Sequence, residues 1–375
     1  MSVRMPTATR PRVLVIGGGV AGGATAIGLA RIGFDVSLRE KREFPRNKTC
    51  GGCLGGPGIR ELDRLGVMDD LRRESVRIRR WKATVGRFNS ELEIPRGIAV
   101  SRSVLDTLLL RHAERLGVDV ADGVAGQIQS VDDDRVEVRI GEYVENYDLV
   151  ILATGLSGPS MNRWLPWVQR PAGKFGMAFR AKGEFPEETV HMICGRGGYV
   201  GMVRLHDGTV DVAAALQTRM AATDGHPSRI KSNSGARSGL NVIEQLIHQA
   251  GLDDALGRPL GDVMTTGLLH RRRTAANGRL FVVGDAAGYR EPFTGEGMTW
   301  AMRDARRLTE VLTRNPHPAQ AAQRWQKLHR RGAQTQWTCR LCVSMLASKG
   351  GSALCGWTLQ NAPWIGNHVL RRMVA

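Results

Sequence analysis

The sequence predicts an α/β protein in which a mostly parallel nucleotide-binding sheet is interrupted by an inserted, mostly antiparallel β-sheet domain and followed by a helical C-terminal tail. Three observations carry this expectation. An apolar run, Val13-Leu14-Val15-Ile16, enters the turn Gly17-Gly18-Gly19-Val20-Ala21-Gly22. A second apolar run far downstream, Leu280-Phe281-Val282-Val283, ends in Gly284-Asp285-Ala286-Ala287-Gly288. Between them lies a stretch whose apolar residues alternate with period two, the pattern of half-buried strands.

The first turn has the G-x-G-x-x-G spacing by which a strand hands over to a helix around a pyrophosphate. Gly17 permits the tight turn, Gly19 lets the backbone approach a phosphate, and Gly22 lets the helix pack on its strand. Val20 and Ala21 open that helix, whose free N–H groups and positive dipole end suit an anion. The next strand, residues 34–40, ends in Glu40, with Lys41 beside it. A carboxylate about twenty residues beyond the turn takes ribose hydroxyls and repels a 2′-phosphate, so FAD or NAD is expected rather than NADP.

Further along, Ser101 has the chemistry of a helix cap ahead of apolar residues at helical spacing, including Leu105, Leu108 and Leu109. Residues 118–121, 128–131 and 136–140 read as short strands. Residues 147–155 read as a buried strand closing on Ala153-Thr154-Gly155, the return to the nucleotide sheet, which places Gly155 near the cofactor. From about 174 to 269 the pattern is alternating strands, for example 199–205 and 210–216, with a helical stretch at 242–250. The chain therefore divides into a discontinuous cofactor domain (10–173 and 270–315), a substrate domain (174–269) roofing the cofactor, and a helical C-terminal region (316–375).

The downstream segment decides between the cofactors. A strand ending in Gly284-Asp285-Ala286-Ala287-Gly288, then Pro292-Phe293-Thr294-Gly295-Glu296-Gly297 and a helix, resembles the second FAD fingerprint of the glutathione-reductase-type flavoproteins. That resemblance implies a Rossmann-like FAD-binding domain in which Asp285, following Gly284, holds the ribityl chain. It also implies that Pro292, Gly295 and Gly297, with Glu296 and Met298 of the same loop, lie against the isoalloxazine. A helix N-terminus there would stabilise negative charge on the reduced ring. FAD is the expected cofactor.

The formal charge of +17 over 375 residues raises nucleic acid as a partner. The arginines are scattered, however, and no nucleic-acid-binding motif organises them, so no nucleic-acid role is expected. No apolar run approaches the roughly 20 residues that span a bilayer, and residues 1–12 lack a signal-peptide core, so the expected compartment is cytoplasmic. The tail, with Trp357, Trp364, Arg371 and Arg372, suits contact with a membrane surface; packing of a helix on the substrate domain is the favoured alternative. The six cysteines include two C-x-x-C pairs, Cys50/Cys53 and Cys339/Cys342. Reduced thiols are expected in this compartment, ahead of a zinc site or a redox dithiol, and no metal is expected.

Three blocks narrow the resemblance. Phe44-Pro45-Arg46-Asn47-Lys48-Thr49-Cys50-Gly51-Gly52, then Ser101-Arg102-x-x-Leu105-Asp106, then the segment from Gly284 to Gly297 look like the geranylgeranyl-reductase family of FAD enzymes, over residues 13 to about 310. The resemblance implies that Arg46 and Arg102 contact the FAD nucleotide or phosphates, and that Cys50, Gly51 and Gly52 lie near the reactive face of the flavin. Arginine forks suit phosphates and glycines permit close approach to a ring. The superfamily also holds aromatic hydroxylases and tryptophan-type halogenases. The halogenase Trp-x-Trp-x-Ile-Pro motif is not matched by Trp164-Leu165-Pro166-Trp167. Hydroxylases usually carry a histidine where this chain has Gly288, and Gly-Gln-Gly-x-Asn where it has Gly295-Glu296-Gly297-Met298-Thr299.

The expected activity is an FAD-dependent oxidoreductase that reduces carbon–carbon double bonds of a hydrophobic small molecule, isoprenoid or polyketide-like. Hydroxylation of an aromatic or polyketide substrate by a monooxygenase is the alternative, and electron transfer to a partner protein the third. The Asp-Gly element that many relatives use for NAD(P)H reads Ala153-Thr154-Gly155, leaving the donor open between NAD(P)H and another reductant. Cys50 is the candidate catalytic residue, as proton donor or substrate contact, and Tyr199 the candidate substrate contact. Both a monomer and a homodimer fit the sequence.

Overall fold

Alternation along the first strand organises the nucleotide domain. In β1 (Arg12–Ile16), Val13 and Val15 face one side of the sheet and Leu14 and Ile16 the other, and all four are buried. A strand covered on both faces reads as a continuous apolar run, as this one does. The computed structural model describes residues 10–156, 159–218, 233–289, 295–334 and 349–361.

After β1 come α1 (Val20–Arg31), β2 (Asp35–Arg39), β3 (Cys53–Gly55), α2 (Gly56–Leu65), α3 (Met68–Leu71), and the long hairpin of β4 (Val76–Val85) and β5 (Phe88–Ala99). At the start of α4 (Arg102–Arg115) the Val104 N–H donates to Ser101 Oγ at 3.2 Å, the cap read from the sequence. β6 (Asp119–Ala121), β7 (Gly126–Val131), β8 (Val136–Ile140), β9 (Tyr143–Tyr147) and β10 (Leu149–Leu152) follow. The second half holds β11 (Trp167–Ala181), β12 (Thr189–Gly195), β13 (Gly198–Arg204), β14 (Val210–Gln217), α5 (Asn233–Gln249), β15 (Pro259–Arg273), β16 (Ala276–Asn277), β17 (Leu280–Val282) and β18 (Gly288–Tyr289). Three helices close the described chain: α6 (Gly297–Arg314), α7 (Pro318–Gln334) and α8 (Lys349–Asn361).

The nucleotide sheet has the order β16-β17-β10-β1-β2-β6. It is parallel throughout except for the short β16–β17 pair. β1 lies between β2, its neighbour in sequence, and β10, which arrives after seven intervening strands, β3 to β9. Strand order reverses there, and the crevice at the carboxyl ends of such strands is where α/β sheets bind ligands. Residues of α1, α4, α6 and α7 cover the Val13/Val15 face, while the three-stranded sheet β7-β8-β9 covers the Leu14/Ile16 face. Trp325 of α7 is fully buried, and its Nε1 donates to the Val282 carbonyl at 3.0 Å, so the start of the helical tail completes the nucleotide-domain core.

The second sheet has nine strands in the order β18-β15-β11-β14-β13-β12-β4-β5-β3. Most pairs are antiparallel, with β12 and β4 parallel. Here the architecture differs from the domain limits read from the sequence. The sheet takes in residues 53–55, 76–85 and 88–99, from the middle of the 10–173 segment, and its strands extend outward to Trp167 and Arg273. The physical reason is the non-local β4–β12 pairing, which joins chain segments whose local patterns do not reveal their partner. α5 covers the outer face through Val242, Ile243, Leu246 and Ile247. Among the described residues, no helix is long and apolar enough to cross a membrane.

Candidate functional site

The glycine turn after β1 is fixed by backbone crowding. Gly17 has φ +113°, and its N–H donates to the Arg39 carbonyl at 2.8 Å. A Cβ at Gly17 would stand 2.5 Å from the Ala153 carbonyl oxygen, and one at Gly22 would stand 1.7 Å from the Gly17 oxygen. Only glycine lets α1 start this close to β1. Gly19 caps α1 without a side-chain hydrogen bond, which leaves first-turn N–H groups at Val20 and Ala21 facing a large cavity.

Cations gather over that turn. A Cβ on Gly19 would meet Lys48 Nζ at 2.6 Å and Arg102 Nη2 at 3.4 Å. Arg102 is gripped by Asp106, which is 0% exposed, through bonds of 3.0 and 2.8 Å. Burial works against the Arg102 charge, but Asp106 more than offsets this and holds its pKa above the ordinary arginine value. Lys48 moves the other way: burial, then the Arg102 charge, lowers it from 10.5 to about 8. Arg46 completes the group, with its Nε buried and lacking a hydrogen-bond partner. Three clustered cations, one of them with an orphaned donor, beside open helix N–H groups fit a diphosphate.

Glu40, expected to take ribose hydroxyls, is also bonded within the protein. It is 4% exposed, and its Oε2 accepts from the Gly18 N–H at 2.9 Å and pairs with Arg46 Nη2 at 3.1 Å. Its Oε1 accepts from the Arg42 N–H at 3.1 Å. The carboxylate thus ties the end of β2 to the glycine turn while still lining the cavity, with Lys41 beside it.

On the far side, Gly284 has φ +61° and packs where a Cβ would meet Ala21 Cβ at 2.9 Å. Asp285 then lines the cavity. Burial raises its pKa to about 6, opposed by Arg102 and Lys48. Gly155, Gly295, Gly297 and Met298 line the same cavity, so the residues drawn from both glycine segments converge. Glu296 does not: its Oε2 accepts from Trp300 Nε1 at 2.8 Å, turning the side chain back along α6. Pro292 lies outside the described residues, as do Cys339, Cys342, Trp364, Arg371 and Arg372.

Cys50, Gly51 and Gly52 run along the cavity between these groups and the nine-stranded sheet. Burial raises the pKa of both Cys50 and Cys53, so each is a protonated thiol rather than a reactive thiolate. Asp211 of β14, 8% exposed, approaches from the sheet: its Oδ2 lies 3.1 Å from where a Gly52 Cβ would stand. Burial raises this carboxyl to about 7.

The opposite wall is apolar. Trp81, Val85, Met192, Tyr199, Ala213 and Leu269 project from the sheet, and Leu354 and Leu359 of α8 close the far end. The Tyr199 ring carries Lys174 Nζ at 5.0 Å from its centroid, which fixes a cation beside it. The cavity volume is about 1940 Å3, beyond the roughly 300–1,000 Å3 of a site for one ligand. There is room for a dinucleotide and a bulky second molecule together.

Lys48, Asp211, Arg271 and Arg273 line or approach this cavity without having been singled out from the sequence. Lys48 sits inside the quoted block 44–52, and its place two residues from Arg46 in a loop following a nucleotide-binding strand was a usable signal. Nothing local marks the other three.

The sequence model of the family described as FAD binding domain matches residues 10–147 and 230–322. Menaquinone reductase of Mycolicibacterium smegmatis is 27% identical over 336 residues, spanning 81% of this chain and 77% of its own. Kynurenine 3-monooxygenase of Salinispora arenicola is 27% identical over 360 residues, spanning 83% of this chain and 74% of its own. Relatives at this distance include reductases, monooxygenases and halogenases. Among solved structures, p-nitrophenol 4-monooxygenase PnpA of Pseudomonas putida matches with a TM-score of 0.76 at 15% identity, covering 98% of both chains. That likeness is one of fold.

Proposed function

The chain belongs to the FAD binding domain family, and on that premise we propose that it reduces carbon–carbon double bonds of a large apolar metabolite, isoprenoid or polyketide-like, as the geranylgeranyl reductases do. The observation that carries this reading is the continuous apolar sheet wall facing Cys50, Gly51 and Gly52, with room left beyond a dinucleotide. FAD, when bound, supplies the hydride, and NAD(P)H or another reductant replenishes it. The helix N-terminus at Val20, with Lys48, Arg102 and Arg46, would hold the diphosphate, and Asp285 the ribityl hydroxyls. The sheet wall would bind the apolar chain and exclude water from the reacting carbon. Cys50 Sγ, kept protonated by burial, would give the proton that completes addition of two hydrogens across the double bond. Tyr199, its ring fixed against Lys174, would set the position of the chain.

The equal likeness to a kynurenine 3-monooxygenase favours hydroxylation as the second reading. Oxygen dependence separates the two. The purified holoprotein, reduced by dithionite under argon, is mixed with prenyl or enone compounds and the products are weighed by mass spectrometry. A gain of two hydrogens without oxygen is the expected result. Product that forms only in air and carries one added oxygen atom would overturn the reductase.

A further inference from the structure

We propose that α8 gauges the length of the apolar substrate: a linear chain lies across the nine-stranded sheet with its reacting end beside Cys50, Gly51 and Gly52, and its tail stops against Leu354 and Leu359. The proposal rests on the reading of this wall as the site of an apolar substrate, which it narrows from any bulky apolar molecule to an extended chain.

The sheet supplies a track between the two ends. Ala213, Gly201, Met192, Ala83 and Ser90 pair in turn across β14, β13, β12, β4 and β5. The first four line the cavity. Gly51 stands over the start of this row, where its Cβ would lie 3.8 Å from Ala213 Cβ. α8 stands over the other end, where Ser90 Oγ donates to the Leu359 carbonyl at 2.9 Å. Four strand spacings of about 4.8 Å put the two ends about 19 Å apart. Ala215, Tyr199, Cys194 and Val85 form the neighbouring row on the same face and line the cavity too. The first row offers hydrogen, methyl and thioether surface, and its one hydroxyl, on Ser90, is already bonded to α8. An apolar chain laid along it loses water without stranding a polar group.

Helical spacing turns one face of α8 toward the end of that track. Leu354, Cys355, Thr358 and Leu359, related by three or four positions, line the cavity, while Ala353, Trp357 and Gln360 are exposed. Leu359 packs on the cluster of sheet residues that includes Val85, Met192 and Tyr199. Leu354 lines the cavity yet remains 56% exposed, which places it at the rim, where an arriving chain would cover it. Gly356 seats the helix. A Cβ there would lie 2.6 Å from Phe88 Cδ2, where the β4–β5 hairpin turns. Glycine lets α8 approach the hairpin this closely, so a backbone contact sets the depth of the cavity at this end.

The test is binding to the oxidised holoprotein, so it does not depend on whether the flavin goes on to reduce or to oxygenate. Prenyl alcohols of 10, 15 and 20 carbons are titrated into the wild type, Leu354→Trp and Leu359→Ala, following the flavin absorbance, with flavin content measured in each protein. Wild-type affinity is expected to rise with chain length. Leu354→Trp adds volume at an exposed position, and should lower the ratio of 20-carbon to 10-carbon affinity at least tenfold. Leu359→Ala lengthens the track, and should raise the same ratio at least threefold. Length-dependent binding by the wild type with the same ratio in both variants would overturn the gauge and leave the apolar site standing. Wild-type affinity independent of chain length would also overturn it, in favour of a compact ring system. A wild type that binds none of the alcohols would overturn the gauge together with the apolar-substrate reading beneath it. If one variant fails to fold, the ratio in the other decides.

Discussion

Two walls face each other across the cavity, and they are built on different principles. The wall formed by the β1–α1 turn and residues 40–52 is set by backbone: glycine hydrogens stand where any Cβ would strike a carbonyl oxygen, and charges are locked in pairs such as Arg102–Asp106. The wall formed by the nine-stranded sheet is set by side-chain volume: Trp81, Val85, Met192 and Leu269 present methyl, thioether and ring surface with few fixed polar contacts. The first wall suits a ligand whose shape never changes. The second would accept different apolar occupants through changes of one or two side chains.

The contrast is sharpest where one carbon is added to each wall. Gly22→Ala would press a methyl group 1.7 Å from the Gly17 oxygen. It should cost roughly 3 kcal/mol, the upper end for overpacking, and abolish flavin uptake. Ala213→Val on the sheet wall fills open cavity on a strand that favours β-branched residues, and should stay within about 1 kcal/mol of the wild type with full flavin content. Denaturant unfolding and flavin absorbance per protein measure both. A Gly22→Ala protein of normal stability and colour would break the comparison.

Asp285→Ala acts next most strongly, and on binding alone. The carboxyl is raised from 3.8 to about 6 by burial, so its ionisation at neutral pH costs the fold stability relative to the unfolded chain. Removing it should leave the protein at least as stable near pH 7. FAD affinity should nevertheless fall at least a hundredfold, about 2.7 kcal/mol, because the ribityl hydroxyls lose their acceptor. A fully flavinylated Asp285→Ala protein would show that the ribityl assignment is mistaken.

The same contrast explains which residues were legible in the sequence. Gly17, Gly19 and Gly22 could be read because backbone geometry leaves few residue choices, whereas Asp285 was marked by the resemblance to the second FAD fingerprint. The Ser101 cap and the strand alternation around Tyr199 were readable for the same local reason. The sheet itself was not. β4 carries Arg77, Arg79, Arg80 and Lys82, and its partner β12 lies far along the chain, so nothing in residues 76–99 announces the shared sheet. Glu40 was found but its bonds within the protein were not, because the Gly18 N–H and Arg46 reach it only once the chain has folded. Arg271 and Arg273 read only as part of a scattered arginine excess; the fold buries them.

The smallest effect lies at Lys48 and appears only with pH. Its ammonium is lowered from 10.5 to about 8, by burial first and the Arg102 charge second, while Asp106 and Glu40 pull upward. In the fold the charged form is therefore disfavoured relative to the unfolded chain. Between about pH 8 and 10.5 the unfolded chain holds the proton more tightly, so apoprotein stability gains from this group as pH rises through that window. A diphosphate over Gly19 restores the charge and raises the pKa, so FAD binding takes up a proton above pH 8. Affinity should then fall with rising pH, by up to tenfold per unit, while below pH 8 this group contributes no slope. Arg102, its charge held by Asp106, adds nothing to the dependence. Fluorescence titration of apoprotein with FAD at pH 7, 8 and 9, alongside urea unfolding, reads the two opposite slopes together. Lys48→Met should flatten both, at a weaker FAD affinity near neutral pH. If FAD affinity falls equally in the variant above pH 8, the proton belongs to another group and Lys48 is not part of the diphosphate cradle.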